Sequence, residues 1–462
     1  MKLPFDIAAD LDTPVSAYLK LRSFGPRFLL ESVEGGERLA RYSFIGFGDG
    51  LEVGLDGRGL RVGGAHSPVP AGRDELLGRL REALAVAPRP SAPGMPGLPL
   101  TGGLVGYAAY DIVRFFERLP ARAVADQPVP DAFYYGPKSI LVFDHVSRGL
   151  TLLHDGPEAE RQALKREIVA ALRGPVPAQR RPFGYAPATP SMSRDDYLAG
   201  VRRTQEYIAA GDVYQLVLSV RFSGECGLDP FEAYRALRLL NPSPYMYYLD
   251  MGGVTVVGSS PEALVRLGKR RAQLRPIAGT RPRGETAAED LRHETELLAD
   301  PKENAEHVML VDLARNDLGR VASAGSVHVD PYRIIERYSH VMHIVSGVNG
   351  ELASGRDAFD LFAAAFPAGT LVGAPKVRAM EIIDELEPVR RGLYGGTVGY
   401  FGRGGDMDQA ITIRTLTFAN GRYAYQAGAG IVADSVPERE HDEVLAKSAV
   451  LRRALELAEA GL

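Results

Sequence analysis

At 462 residues, with 45% hydrophobic and 24% charged side chains, the chain is long enough for two domains or one large core, and its composition is that of a soluble globular protein. A net charge of −4 argues against a nucleic-acid binder, which carries a basic excess or stripe. No apolar run approaches the roughly 20 residues that span a bilayer, Met1–Asp6 lacks a signal-peptide core, and the single cysteine, Cys226, excludes an internal disulfide or a multi-cysteine metal site; a cytoplasmic location is expected.

In chain order, Gly103–Tyr110 and Ser139–Phe143 read as strands among helical segments. The proline-rich stretches Pro88–Pro99 and Gly174–Pro190 read as loops or linkers, the second dividing an N-terminal region, 1–187, from a C-terminal one, 188–462. Ser193 caps a helix with a stripe of Leu198, Val201 and Ile208, stopped by Gly211. Val213–Val220 alternates as a strand, with Tyr214, Leu216, Leu218 and Val220 on one face and Gln215 and Ser219 on the other. Ile411–Phe418 and Arg422–Ala427 flank Asn420-Gly421, a two-residue hairpin signal. Helices and hairpins without a regular βαβ alternation predict an α+β fold with antiparallel sheets.

Two Glu-x-x-Glu pairs stand at predicted helix starts: Glu303 with Glu306, and Glu440 with Glu443. Residues three apart share a helix face, so each pair aims two carboxylates one way, and four such oxygen ligands would suit a hard cation such as Mg²⁺. The same residues also serve as ordinary helix starts. Asp300, Pro301 and Glu303 form an N-cap, an N1 proline and a capping-box glutamate, and Ser435 and Glu438 repeat the capping pattern. Glu306 shares a stripe with Leu310 and Leu313, and Glu443 lies one turn before Lys447; a carboxylate bordering an apolar face needs a partner.

Other segments offer backbone to a ligand. Pro276–Gly284 presents N–H groups beside Arg281 and Arg283. Gly369–Lys376 opens a helix as a carboxylate or phosphate cradle, with a spacing that departs from a P-loop. Gln426–Gly430 permits close approach, and Arg414, placed within the hairpin strand, would need an anion if buried. His343 shares a strand face with Val341 and Val345, as a core group or as a proton-transfer group poised near neutrality.

Leu313–Arg320, Pro276–Gly284, Gly369–Lys376 and Ala427–Gly430 together resemble the chorismate-utilising enzymes, the large subunit of anthranilate synthase above all, over about Phe28 to Lys447. The resemblance implies antiparallel sheets in a sandwich with flanking helices, with regulation and partner binding in 1–187 and chorismate binding in 188–462. It implies Mg²⁺ held by Glu306 and Glu443 with support from Glu303 and Glu440. Glu262 is implied as the acid for the departing C4 hydroxyl and His343 as the group in pyruvate loss, with Lys447 beside the metal. Gly279, Thr280, Thr370, Tyr400, Arg414, Gly428, Ala429 and Gly430 are implied to hold chorismate.

Gln215 stands where isochorismate- and salicylate-forming relatives carry a water-activating lysine, which makes ammonia the expected nucleophile. Ala278 stands where many aminodeoxychorismate synthases carry a nucleophilic lysine. Leu29-Leu30-Glu31-Ser32 and Asn241–Met246, with Arg41-Tyr42-Ser43 nearby, resemble tryptophan-binding elements: Glu31 for the ammonium group, Met246 for the indole, with Ser32, Asn241, Pro244 and Tyr245 around them. Cys226 lacks the surroundings of a glutaminase nucleophile, so a separate glutamine amidotransferase subunit, in a heterotetramer, is the implied source of ammonia. The alternatives are an aminodeoxychorismate synthase and a non-catalytic tryptophan sensor.

Overall fold

The computed structural model describes residues 5–32, 41–92, 98–177, 184–338 and 341–462. Parts of both proline-rich stretches, 93–97 and 178–183, and residues 1–4 lie outside the described residues.

Among the described residues two large sheets form, and their ladders are antiparallel. The first sheet runs through Ser139–Asp144, Tyr42–Phe47, Phe28–Glu31, Tyr245–Met251, Val254–Ser260, Thr415–Ala419, Arg422–Ile431 and Gln215–Glu225. The second runs through Val348–Glu351, Arg271–Leu274, Ala263–Gly268, Met407–Ile411, Thr397–Gly402, Gly103–Ala108, Ala132–Gly136 and Leu51–Asp56. A small third sheet joins Ile277–Pro282, Val341–Val345 and Ile334–Arg337. Strands from both halves of the sequence thus lie side by side in each large sheet.

Strand alternation assigns side chains to two layers. Phe28, Val142, Tyr247 and Leu249 meet Val105, Tyr107, Phe133 and Val398 of the second sheet between the two sheets. The neighbouring Leu29, Leu141, Phe143, Met246 and Tyr248 point the other way, under the helices Pro14–Lys20, Glu158–Leu172, Pro230–Leu240 and Pro437–Ala460. Burying this apolar surface is the main favourable term in holding the sandwich.

Ser193 caps the helix Arg194–Ala209 by accepting from the Asp196 amide, and Gly211 follows at φ 81°. Asn420 and Gly421 both have positive φ, as a tight hairpin turn requires. Four expectations are corrected. Tyr214 lies outside the strand, which begins at Gln215, and is 75% exposed. That strand is buried on both faces: Leu216, Leu218 and Val220 enter the apolar core on one, and Gln215, Ser219 and Arg221 are buried polar groups on the other. The helix Pro437–Ala460 has Val436 at its N-cap, and Ser435 instead accepts from the Val432 amide with its hydroxyl. Ile411 ends a strand of the second sheet and Thr415 begins one of the first, so Arg414 sits in the crossing between sheets, exposed and at φ 50°.

Candidate active site

The chemistry gathers where the strand Gln215–Glu225, the loop Gly369–Leu371, the helix Pro301–Gly319 and the strand Ile277–Pro282 come together. The Thr370 hydroxyl donates to Glu262 Oε1 at 3.1 Å. Burial pushes the Glu262 carboxyl up to about 7, against the opposing pull of that hydrogen bond and of the Arg414 charge. A carboxyl there is poised to be a proton donor near neutrality.

His343 pairs in register with Thr280, and its Nδ1 stands 2.8 Å from the Gly279 carbonyl oxygen and 3.1 Å from Thr280 Oγ1. A carbonyl can only accept, so Nδ1 carries the proton and the neutral ring keeps its lone pair at Nε2. Burial, reinforced by the Arg414 charge, holds the imidazole below its usual range. Arg414 therefore acts electrostatically on both Glu262 and His343. Its exposed place at the sheet crossing replaces the expected one inside the hairpin strand.

The bulge at Gly279, φ 69°, turns this edge toward the glutamates: a Cβ there would stand 2.9 Å from Leu297 and 3.2 Å from Glu303 Oε2. Asp300 caps the helix Pro301–Gly319 by accepting from the Lys302 and Glu303 amides. Glu303 takes an ion pair from Arg281 at 3.3 Å, and Glu306 accepts from Gln215 Nε2 at 3.4 Å. Glu443 pairs with Lys447 Nζ at 2.6 Å, and the same ammonium donates to the Gly428 carbonyl at 3.2 Å.

The two glutamate pairs share one electrostatic environment. Burial raises the Glu306 carboxyl, Glu303 raises it further, and Lys302 and Lys447 oppose the shift. Burial raises Glu440, Glu443 adds to it, and the same Lys302 and Lys447 oppose it. Four carboxylates that repel within pairs are a donor set that fits a hard divalent cation. Among the described residues, however, no three His, Cys, Asp or Glu side chains are gathered closely enough to enclose a metal ion. Arg281, Gln215 and Lys447 hold three of the carboxylates individually.

The backbone expected to hold the substrate lies on the strand paired with Gln215–Glu225. Ser219 lies opposite Gly428, Leu218 opposite Ala429 and Val217 opposite Gly430. A Cβ at Gly430 would stand 2.6 Å from Gln215 Nε2, so that glycine opens space against the amide. Ala429 is wholly buried and offers only its backbone. The Gly369–Lys376 loop is not a free anion cradle, because Lys376 donates at 2.8 Å to the buried Asp317, at the far end of the helix Pro301–Gly319. Tyr400 is grouped elsewhere: it packs with Tyr245 on the apolar layer between the sheets, and the Arg266–Asp408 pair acts on its phenol.

The residues expected to bind tryptophan lie along the paired strands Phe28–Glu31 and Tyr245–Met251 and the turn before the second. Glu31 faces Met246 in register, and Met246 faces Ser259 on its other side. Asn241 Nδ2 donates to Ser259 Oγ at 2.8 Å. Ser32 follows Glu31 half-buried, and Pro244 lies half-buried beside Ser243, whose hydroxyl donates to the Ser260 carbonyl at 3.0 Å. Tyr245 donates to Asp408 at 2.9 Å on the opposite strand face. Glu31 is buried and engaged, by Arg238 Nε at 3.0 Å and by the Tyr234 hydroxyl, so an ammonium group would have to compete with Arg238. Arg238 and Tyr234 lie on a helix some 200 residues from Glu31 in sequence, and only their i, i+4 spacing hints that they act together.

Comparison with known proteins identifies the family. A family model described as chorismate binding enzyme matches residues 27–453. The chain is 50% identical over 460 residues to anthranilate synthase component 1 of Thermus thermophilus, covering 98% of this chain and 97% of that protein. It is 45% identical over 472 residues to the Pseudomonas aeruginosa component 1, covering 99% and 96%. The crystal structure of anthranilate synthase component I from Streptococcus pneumoniae superposes with a TM-score of 0.79 at 35% identity, covering 97% of this chain and 99% of that one. By its sequence and its sandwich of antiparallel sheets, the chain belongs to the chorismate-binding enzyme family.

Proposed function

We propose that the chain converts chorismate and ammonia to anthranilate, pyruvate and water. Glu262 gives its proton to the C4 hydroxyl as ammonia bonds to C2, and water leaves. His343 Nε2 then removes the C2 proton, and the enolpyruvyl group departs with the C3–O electrons, takes a proton and becomes pyruvate. Arg414 and the Gly428–Gly430 backbone hold the substrate carboxylates. Glu306 and Glu443, supported by Glu303 and Glu440, would hold Mg²⁺, which when bound neutralises the ring carboxylate of chorismate.

The observation that supports this reading most is the Glu262 carboxyl, pushed up to about 7 and oriented by Thr370. Gln215 is a neutral amide on Glu306 and Ala278 is an inert buried methyl, which favours ammonia over water or a covalent lysine as the nucleophile. Burial pushes the Cys226 thiol up, away from nucleophilic use. The family resemblance points to a separate glutamine amidotransferase subunit as the source of ammonia, in a cytoplasmic heterotetramer. Tryptophan in the Glu31–Met246 pocket inhibits the reaction.

The test is product identification after incubation with chorismate, Mg²⁺ and excess ammonium near neutral pH, where Glu262 keeps its proton and some free ammonia is present. Anthranilate with pyruvate is the expected result. Aminodeoxychorismate alone would overturn the product assignment, and the absence of turnover would reduce the chain to a tryptophan sensor.

A further inference from the structure

Behind the site lies a fully buried ion pair that none of the steps above uses. Arg391 and Glu387 are 2% and 3% exposed, one helical turn apart in sequence. Arg391 donates from Nε to Glu387 Oε2 at 2.9 Å and from Nη2 to Oε1 at 2.6 Å. Its remaining reach goes to backbone. Nη1 donates to the Leu371 carbonyl at 2.7 Å and Nη2 to the Val217 carbonyl at 2.7 Å. Glu387 Oε1 in turn accepts from the Ser219 amide at 2.9 Å and the Ser219 hydroxyl at 2.7 Å, and Gln426 Nε2 donates to that hydroxyl at 2.8 Å.

The gripped residues are neighbours of the reacting ones. Leu371 follows Thr370, the residue that hydrogen-bonds Glu262. Val217 and Ser219 are the register partners of Gly430 and Gly428. One planar guanidinium therefore joins the loop that hydrogen-bonds the proton donor to the strand paired with Gly428–Gly430. A lysine could keep the charge but not the fork.

We propose that Arg391, held by Glu387, is a positioning residue for the reaction: it sets Thr370 against Glu262 and, through Ser219, sets the height of the Gly428–Gly430 backbone. The proposal rests on the reading of Glu262 as the acid. A buried ion pair kept only for architecture would affect folding and leave the chemistry of the folded enzyme alone.

The experiment compares Arg391→Lys, Thr370→Val, their double variant and Ser219→Ala by kcat/KM for chorismate against pH, with ammonia saturating at each pH. The charged groups around Glu262 are Arg414, which acts on it directly, and Arg275 and Asp317 on the walls of the same cavity, each engaged in its own ion pair. None of these is altered. Thr370→Val and Arg391→Lys are each expected to move the alkaline limb upward by roughly half a pH unit or more, since both release the hydrogen bond that favours the charged carboxyl. The double variant is expected to move it no further than either alone. Ser219→Ala is expected to leave the limb in place and raise KM for chorismate roughly threefold or more. A wild-type limb in Arg391→Lys, with Thr370→Val shifted, overturns the positioning role and leaves the acid role standing. An unmoved limb in Thr370→Val removes the acid role, and this proposal with it. Should Arg391→Lys not fold, Ser219→Ala decides, and an unchanged KM overturns the proposal.

Discussion

The Ser259 amide donates to the Arg414 carbonyl at 3.1 Å, while the Ser259 hydroxyl accepts from Asn241 at 2.8 Å. One residue thus touches both the N-terminal pocket and the sheet crossing whose arginine acts on Glu262 and His343. Arg414, at φ 50°, sits in a sparsely populated backbone region that the surrounding structure must hold. If tryptophan acts through this link, Ser259→Ala should blunt inhibition without abolishing turnover. Loss of one such hydrogen bond is worth about 1 kcal/mol, so the half-inhibitory tryptophan concentration should rise roughly fivefold. An unchanged inhibition curve would break the link.

Glu262 titrates at about 7, so kcat/KM for chorismate should fall as pH rises through that value at saturating ammonia. Glu262→Gln should reduce turnover by roughly 10²–10⁴-fold. The same shift predicts a stability effect that runs in the same direction with pH. The folded carboxyl binds its proton more tightly than the unfolded one, so it lowers stability progressively as pH rises from the ordinary carboxylate range through about 7. Glu262→Gln should therefore be more stable than the parent at pH 8, by on the order of 2–3 kcal/mol, and nearly equal to it at pH 4. Thermal unfolding at the two pH values measures this.

Glu306 and Glu443 are expected to carry the response to Mg²⁺. Added Mg²⁺ should raise the melting temperature of the parent chain by mass action. Glu306→Gln and Glu443→Gln should each weaken that response by roughly tenfold or more in Mg²⁺ concentration, and Glu303→Gln by less, as a supporting rather than a direct ligand. Equal responses across all variants would place the cation elsewhere.

Lys376 and Asp317 test the anchoring of the Thr370 loop. Lys376→Met strands a buried carboxylate and should cost about 3–5 kcal/mol. Adding Asp317→Leu removes the stranded charge and should restore much of the loss, which chemical denaturation would show as a strongly non-additive pair.

What could be read from the sequence was what neighbours within a few residues decide. Ser193 and Asp300 are caps because their side chains reach amides two or three positions away, and Asn420-Gly421 turns because its own φ angles allow it. Glu262 and His343 were legible through resemblance, whereas the raised carboxyl and the fixed tautomer came from packing. What local pattern could not convey was tertiary. Lys376 looked free for an anion until Asp317, 59 positions away, claimed it. Glu387 finds Ser219 across 168 positions, a pairing no periodicity announces. Arg414 was misplaced because an alternating run hides the point at which a chain leaves one sheet for another. Ser435 missed the cap by one residue, since the capping pattern does not say whether its hydroxyl turns forward or back.

Glu31 and Met246 pair across adjacent strands that lie more than two hundred residues apart in the sequence. That ladder is a seam: the bonds joining the first quarter of the chain to its middle run through the residues proposed to bind tryptophan. A molecule seated there would press on the joint between the two halves. Sensing and folding would then draw on the same few hydrogen bonds, and a substitution that loosens the seam would be felt as lost regulation and as lowered melting temperature together.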